Sequence, residues 1–117
     1  MELRLKRVYD DPSPDDGYRV LVDRLWPRGL TKERAALDLW AKDVAPSPEL
    51  RKAWHAADAG AWDHYADNYR AELAGASAPH VGALRSELTR HPVVTLLYAT
   101  HDPARNHALV LRDVLES

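Results

Sequence analysis

The sequence predicts a small single α/β domain: a mostly parallel sheet of roughly three or four strands with about five flanking helices. Residues 93–99, VVTLLYA, are almost continuously apolar, the pattern of a strand buried on both faces by helices. Stretches of helical periodicity stand between this strand and the extended segments nearer the N-terminus. Strands separated in this way pair in parallel, because a parallel pair needs a long crossover rather than a tight turn.

The elements follow in order. Residues 3–9, LRLKRVY, alternate charged and apolar side chains and read as a strand. Residues 10–17, DDPSPDDG, are a turn-rich loop that cannot sustain a strand. Residues 18–23, YRVLVD, carry a β-branched, apolar centre and read as a buried strand, which LWPRGL then breaks with Pro27 and Gly29. Thr31 can cap a short helical turn over KERAA, followed by an extended segment within LDLWAKDV. Ser47-Pro48-Glu49 is a helix start: serine caps, proline fits the first helical position, and glutamate favours the positive end. Leu50, Ala53, Trp54 and Ala57 then recur at helical spacing. A second helix is predicted over 61–74, where Trp62, Tyr65, Ala66, Tyr69 and Leu73 form one stripe and Gly75 ends it. A third is predicted over 79–90, with Val81, Leu84 and Leu88 on one side and Pro92 as its stop. The last helix is predicted to begin after Asp102-Pro103, with Ala104, Ala108, Leu111 and Leu115 on one face.

Composition narrows the function classes. A chain of 117 residues fits one domain with a real core, and it has no cysteine, which removes disulfides, thiolate ligands and cysteine nucleophiles. The opening MELRLKRVYDD has no apolar h-region and no run approaches a membrane span, so a cytoplasmic protein without membrane contact is expected. The net charge of -2 argues against broad nucleic-acid binding, although a local basic cluster suits one phosphate or carboxylate. The histidines at 55, 64, 80, 91, 101 and 107 lack H-x-x-x-H or H-E-x-x-H spacing and read as scattered surface residues, so no metal is predicted. Neither G-x-G-x-x-G nor G-x-x-x-x-G-K occurs, and no cofactor is predicted.

Open parallel sheets gather ligands beyond the carboxyl ends of their strands. Two polar loops fall there. One, after YRVLVD, carries Asp23, Arg24, Trp26 and Arg28; the other, after VVTLLYA, carries Tyr98, His101 and Asp102. Arg24 and Arg28 flank a rigid Trp-Pro unit and offer planar forks for an anion, unless each pairs with Asp23 or another loop carboxylate. Asp23 is either a general base or the partner that holds an arginine. Asp102 is either an acid/base or a helix cap, with Asn106 one turn further on facing the pocket or solvent. Ser47 is best read as a cap, because no G-x-S-x-G surrounds it. Tyr69 belongs to the aromatic stripe and reads by default as core; its hydroxyl and that of Tyr98 need partners if buried, and either tyrosine could line the pocket.

The string DGYRVLVDRLWPRG resembles the YeaO-like family, domain of unknown function 488, and the resemblance continues through LDLWAKDVAPSPELRKAW, WDHYADNYRAEL and VTLLYATHDPARNHALVL. It covers nearly the whole chain. It implies helices around a central sheet and brings no activity with it. The family's recurrent positions that match here are Arg7, Asp23, Arg24, Trp26, Pro27, Arg28, Gly29, Trp40, Pro46, Ser47, Arg51, Tyr69, Tyr98, Asp102 and Asn106. The expected site thus has Asp23 and Asp102 as acid/base candidates, and Arg24, Trp26, Arg28, Ser47, Arg51, Tyr69, Tyr98 and Asn106 as ligand-binding candidates. Three readings stay open: an enzyme acting on a small anionic substrate, a non-catalytic module binding a small ligand, nucleotide or nucleic-acid end, and a structural corner serving a protein partner.

Overall fold

The computed structural model describes residues 1–117. Its elements are β1 (Glu2–Arg7), β2 (Tyr18–Leu21), α1 (Lys32–Ala35), β3 (Leu39–Trp40), α2 (Pro48–Ala56), α3 (Trp62–Ala74), α4 (Ala78–Leu88), β4 (Val93–Tyr98) and α5 (His107–Glu116), with short 3-10 turns between some of them. The strands form one four-stranded sheet in the order β1-β4-β2-β3, and every pairing is parallel. The apolar strand β4 lies between β1 and β2, pairing Glu2 through Arg7 on one side and Tyr18 through Leu21 on the other.

Side chains alternate across this sheet, and the two faces are covered differently. Leu3, Val20, Val22, Val94, Leu96 and Tyr98 face the main core, where they meet Leu50 of α2, Tyr69 and Leu73 of α3, Leu84 and Leu88 of α4, and Leu111 and Leu115 of α5. The opposite face is thinner. Leu21 and Leu97 pack there against Val8, Leu30 and Ala35, with Trp26 and Trp40 at the margin. The sequence predicted helices over both faces of β4. Both faces are buried, but a loop and the single turn of α1 cover the second, because Pro27 and the positive-φ turn at Gly29 break the chain between β2 and β3.

The lower part of the second face is polar. Asp16 and Arg19 are both buried and pair at 2.5 Å. The Asp16 carboxylate also accepts from Lys6 at 3.1 Å and from the Ser13 backbone N–H at 3.0 Å. Arg19 donates further to the carbonyls of Ala35 and Ala36 at 2.9 and 3.1 Å, and Thr95 donates to the Asp16 carbonyl at 2.7 Å. This network ties the DDPSPDDG loop to β1, β2 and β4. Gly17 completes the turn at φ +64, where a Cβ would stand 2.3 Å from the Val93 carbonyl oxygen.

Local caps explain most helix starts. Ser47 Oγ accepts from Leu50 N at 3.2 Å with Pro48 in the first turn of α2, and Thr31 caps α1 in the same way. The start of α5 corrects the sequence reading. Asp102 Oδ1 accepts from Ala104 N and Arg105 N, which closes a local turn, and Asn106 is the residue that caps α5 through Leu109 N at 3.1 Å. Asp102-Pro103 therefore starts a turn that is not continued, and the helix waits for the next capping side chain. No helix is long and apolar enough to cross a membrane.

Removing the Asp16 carboxylate leaves Arg19 buried without its counter-charge, so Asp16→Ala is expected to cost about 3 kcal/mol in chemical denaturation. Burial acts to raise the Asp16 carboxyl, but the Ser13 backbone, Lys6 and Arg19 outweigh it and hold it below the ordinary carboxylate range. The contribution is therefore complete above the unfolded value near ~4 and fades as pH falls through the lower native value. Denaturation midpoints followed from pH 6 to 2.5 should fall more steeply below pH ~4 in the wild type than in Asp16→Ala, and parallel curves would contradict this. Gly17→Ala should lower stability by at least about 2 kcal/mol in the same assay, from strained φ and contact with Val93.

Candidate functional site

The side-by-side placement of β2 and β4 decides where the polar loops go. Beyond the strands, Val22 N donates to the Leu97 carbonyl at 3.0 Å. One residue later, the Asp23 side chain takes over the ladder: its Oδ2 accepts from Ala99 N at 3.1 Å. The two loops are thus joined at their roots by a carboxylate.

The other Asp23 oxygen meets α5. His107 Nε2 lies 2.9 Å from the Val22 carbonyl oxygen and 3.2 Å from Asp23 Oδ1. A carbonyl only accepts, so Nε2 carries a hydrogen and directs it at Val22. Asp23 Oδ1 is buried beside it without an aligned donor of its own. His107 also packs edge-on against Tyr69, with ring centroids 6.0 Å apart.

The loop after β2 is braced along its length. Arg24 donates from Nε to Pro46 O and from Nη2 to Ala45 O, both at 3.1 Å. Trp26 Nε1 donates to Leu30 O at 2.6 Å, Trp40 Nε1 to Asp23 O at 2.7 Å, and Tyr9 Oη to Arg28 O at 2.8 Å. The Trp26 and Trp40 rings meet in a T at 5.5 Å. Gly29 turns the chain at φ +75, a conformation glycine adopts without a Cβ penalty. Arg7, at the end of β1, braces the second loop by donating to Thr100 O at 3.0 Å and Ala99 O at 3.3 Å.

Between these loops and α2 runs a groove of two adjoining lobes. The larger, about 310 Å³, is lined by Tyr9, by Asp23 through Arg28, by Ala45 and Pro46, by Arg51 and His55, and by Ala99, Thr100 and His107. The smaller, about 210 Å³, is lined by Arg51, Trp54, His55, Trp62, Thr100, Arg105, Asn106 and His107. Arg51, His55, Thr100 and His107 belong to both and form a polar waist. Arg28, Arg51 and Arg105 have exposed side chains that enter no ion pair. Asp23 is the one carboxylate on the larger lobe, and none lines the smaller.

Of the predicted site residues, Asp23, Arg24, Trp26, Arg28 and Arg51 meet on the larger lobe, and Arg51 and Asn106 on the smaller. Four stand elsewhere. Ser47 is held by Glu72, donating from Oγ at 2.5 Å and from N at 2.9 Å. Tyr69 is fully buried and donates to Val44 O at 2.5 Å; burial raises its hydroxyl well above the ordinary tyrosine value, with Glu72 and Asp23 adding to the effect, so it stays protonated. Tyr98 lies in the main core and lines neither lobe, because its position on β4 points it at the helices. Asp102 is exposed and lines neither lobe. Arg24 pairs with backbone carbonyls and not with its neighbour Asp23, whose carboxylate accepts from Ala99 N and stands beside His107.

Sequence reasoning missed His107, His55, Arg105 and Thr100. Histidine spacing along the chain points only to the absence of a metal motif, and no group of three or more His, Asp or Glu side chains is placed to hold an ion. The usable signal for Arg105 and His107 was their position on either side of Asn106, in the loop already singled out. Because Val22 fixes the ring, ¹⁵N–¹H spectra of the neutral imidazole should show the His107 Nε2–H tautomer. A dominant Nδ1–H form would contradict the arrangement.

The chain is similar over its whole length to the uncharacterized protein YeaO of Escherichia coli strain K12, at 44% identity over 117 residues, 100% of this chain and 99% of that protein. It is 46% identical over 113 residues to the uncharacterized protein Rv3073c of Mycobacterium tuberculosis H37Rv and to Mb3100c of Mycobacterium bovis, covering 97% of this chain and 92% of each relative. No solved structure matches it. The family model described as "Inactive DUF488-N3 subclade" matches residues 2–117, and with the full-length identity to YeaO this establishes that the chain belongs to the YeaO-like DUF488 family.

Proposed function

We propose that the protein is a non-catalytic binding domain that holds a small phosphate- or carboxylate-bearing molecule in the groove beyond the carboxyl ends of β2 and β4. The observation that carries this reading is the charge of the lining. Three guanidiniums without an ion-pair partner, Arg28, Arg51 and Arg105, surround a space bordered by Asp23 alone among carboxylates, in a chain whose net charge is -2. Guanidinium forks match phosphate and carboxylate oxygens in geometry and charge. The site also lies where parallel sheets collect ligands.

Two observations favour binding over catalysis. Asp102 lies outside both lobes with one oxygen engaged by two backbone N–H groups. Asp23 holds the loop roots together through Ala99 and stands against His107, a structural duty that a proton-shuttling base would have to leave. The description of the matching subclade as inactive agrees with this reading. The acidic balance of the chain favours a small anion over a nucleic-acid duplex as the ligand.

Calorimetric titration with inorganic phosphate and with acetate at low ionic strength tests the proposal. The wild type should bind at least one of them, more weakly as salt is added. Arg28→Ala and Arg51→Ala should each weaken that affinity about tenfold, the scale of a lost charge-assisted contact, without changing the melting temperature. Unchanged affinity in both variants would remove the arginine groove as the binding site.

A further inference from the structure

Resting on the anion-binding reading above, we infer that the ligand also carries a flat aromatic ring, seated against Trp54 and Trp62 in the smaller lobe while its anionic group lies at the waist toward Arg28.

The two lobes differ in chemistry. The larger is a braced loop bearing Arg28, with Arg24 tied to carbonyls behind it. The smaller has two indoles in its wall, and both remain partly exposed although they also pack on the main core. Trp62 and Trp54 are 5.6 Å apart, Trp54 and Tyr69 6.0 Å, and Tyr69 and His107 6.0 Å, so four rings run in a continuous row from the outer end of the smaller lobe to Asp23. An exposed pair of tryptophans could simply be the margin of the core. Here the pair opens into a concavity shared with cationic groups, and an aromatic face beside guanidiniums suits a ligand with a π-face and a negative charge.

Two orphaned polar atoms stand along the same row. Trp54 Nε1 is buried without an acceptor, and Asp23 Oδ1 is buried without an aligned donor. Buried polar atoms are nearly always paired, so each of these two exceptions calls for an explanation. The size of the space points the same way. The smaller lobe, about 210 Å³, falls short of the roughly 300–1,000 Å³ of small-molecule sites, so an organic ligand there extends across the waist into the second lobe. A bare anion needs neither the indoles nor the second lobe.

The test compares ligands with and without a ring: phenyl phosphate against inorganic phosphate, and benzoate against acetate. Calorimetry and tryptophan fluorescence are followed on the wild type, Trp62→Leu and Arg28→Ala, with circular dichroism melts to confirm folding. The wild type should bind the ring-bearing member of at least one pair about tenfold more tightly than its ringless partner. Trp62→Leu should close that gap and leave the ringless anion unchanged, while Arg28→Ala should weaken both members equally. If Trp62→Leu does not fold, quenching of wild-type tryptophan emission by phenyl phosphate but not by inorganic phosphate serves as the second readout. Equal affinity within each pair would overturn the aromatic seat and leave the anion site standing. Binding of none of the four would overturn both.

Discussion

The rest of the molecule depends on a single placement: β4 lies between β1 and β2 and pairs with both in parallel. A central parallel strand sends all its neighbours' loops to the same end, and sequence-distant segments meet there without any specific attraction between them. Asp23 reinforces the placement by accepting from Ala99 N where the backbone ladder stops. A short polar side chain thus extends the sheet by one rung, and holds together two loops that would otherwise splay.

Much of this was legible in the sequence, for definite physical reasons. VVTLLY is apolar but for Thr95 and the Tyr98 hydroxyl, and reads as a central strand. Ser47-Pro48-Glu49 and the Trp62 to Leu73 stripe announce α2 and α3 because capping and 3.6-residue periodicity are local properties. What could not be read was long-range. DDPSPDDG looks like solvated loop, yet Asp16 is buried because Arg19, three residues on in the next strand, needs a counter-charge on the same face. Asp102 and Asn106 are both good caps, and sequence alone gives no rule for which of two neighbours starts the helix. His107 is inconspicuous along the chain. It matters only because α5 carries it to the Val22 carbonyl, across 85 residues.

Apart from the surface ion pairs of Arg4, Arg34, Arg70, Arg90 and Arg112, the arginines divide into two groups by what they touch. Arg7, Arg19 and Arg24 reach carbonyl oxygens of irregular backbone, and Arg85 reaches the Val114 and Leu115 carbonyls at the end of α5. Each satisfies an acceptor that burial would otherwise penalise. Arg28, Arg51 and Arg105 have no such duty and stand around the groove. The motif Asp23-Arg24-Leu25-Trp26-Pro27-Arg28 therefore mixes two kinds of residue: Asp23, Arg24 and Trp26 set the loop's shape, and Arg28 is presented by it. Identical residue types four positions apart do different work, which explains why motif composition alone could not separate scaffold from site.

The loop that walls the groove is also the roof over Leu21 and Leu97. Selection cannot act on the two duties separately. Any change that reshapes this segment to suit a new molecule also lifts or lowers a lid on the sheet's thinner side, so diversification of specificity in this architecture carries an automatic toll in robustness. The helical side has no such entanglement, and can drift in sequence as long as its packing volume is kept.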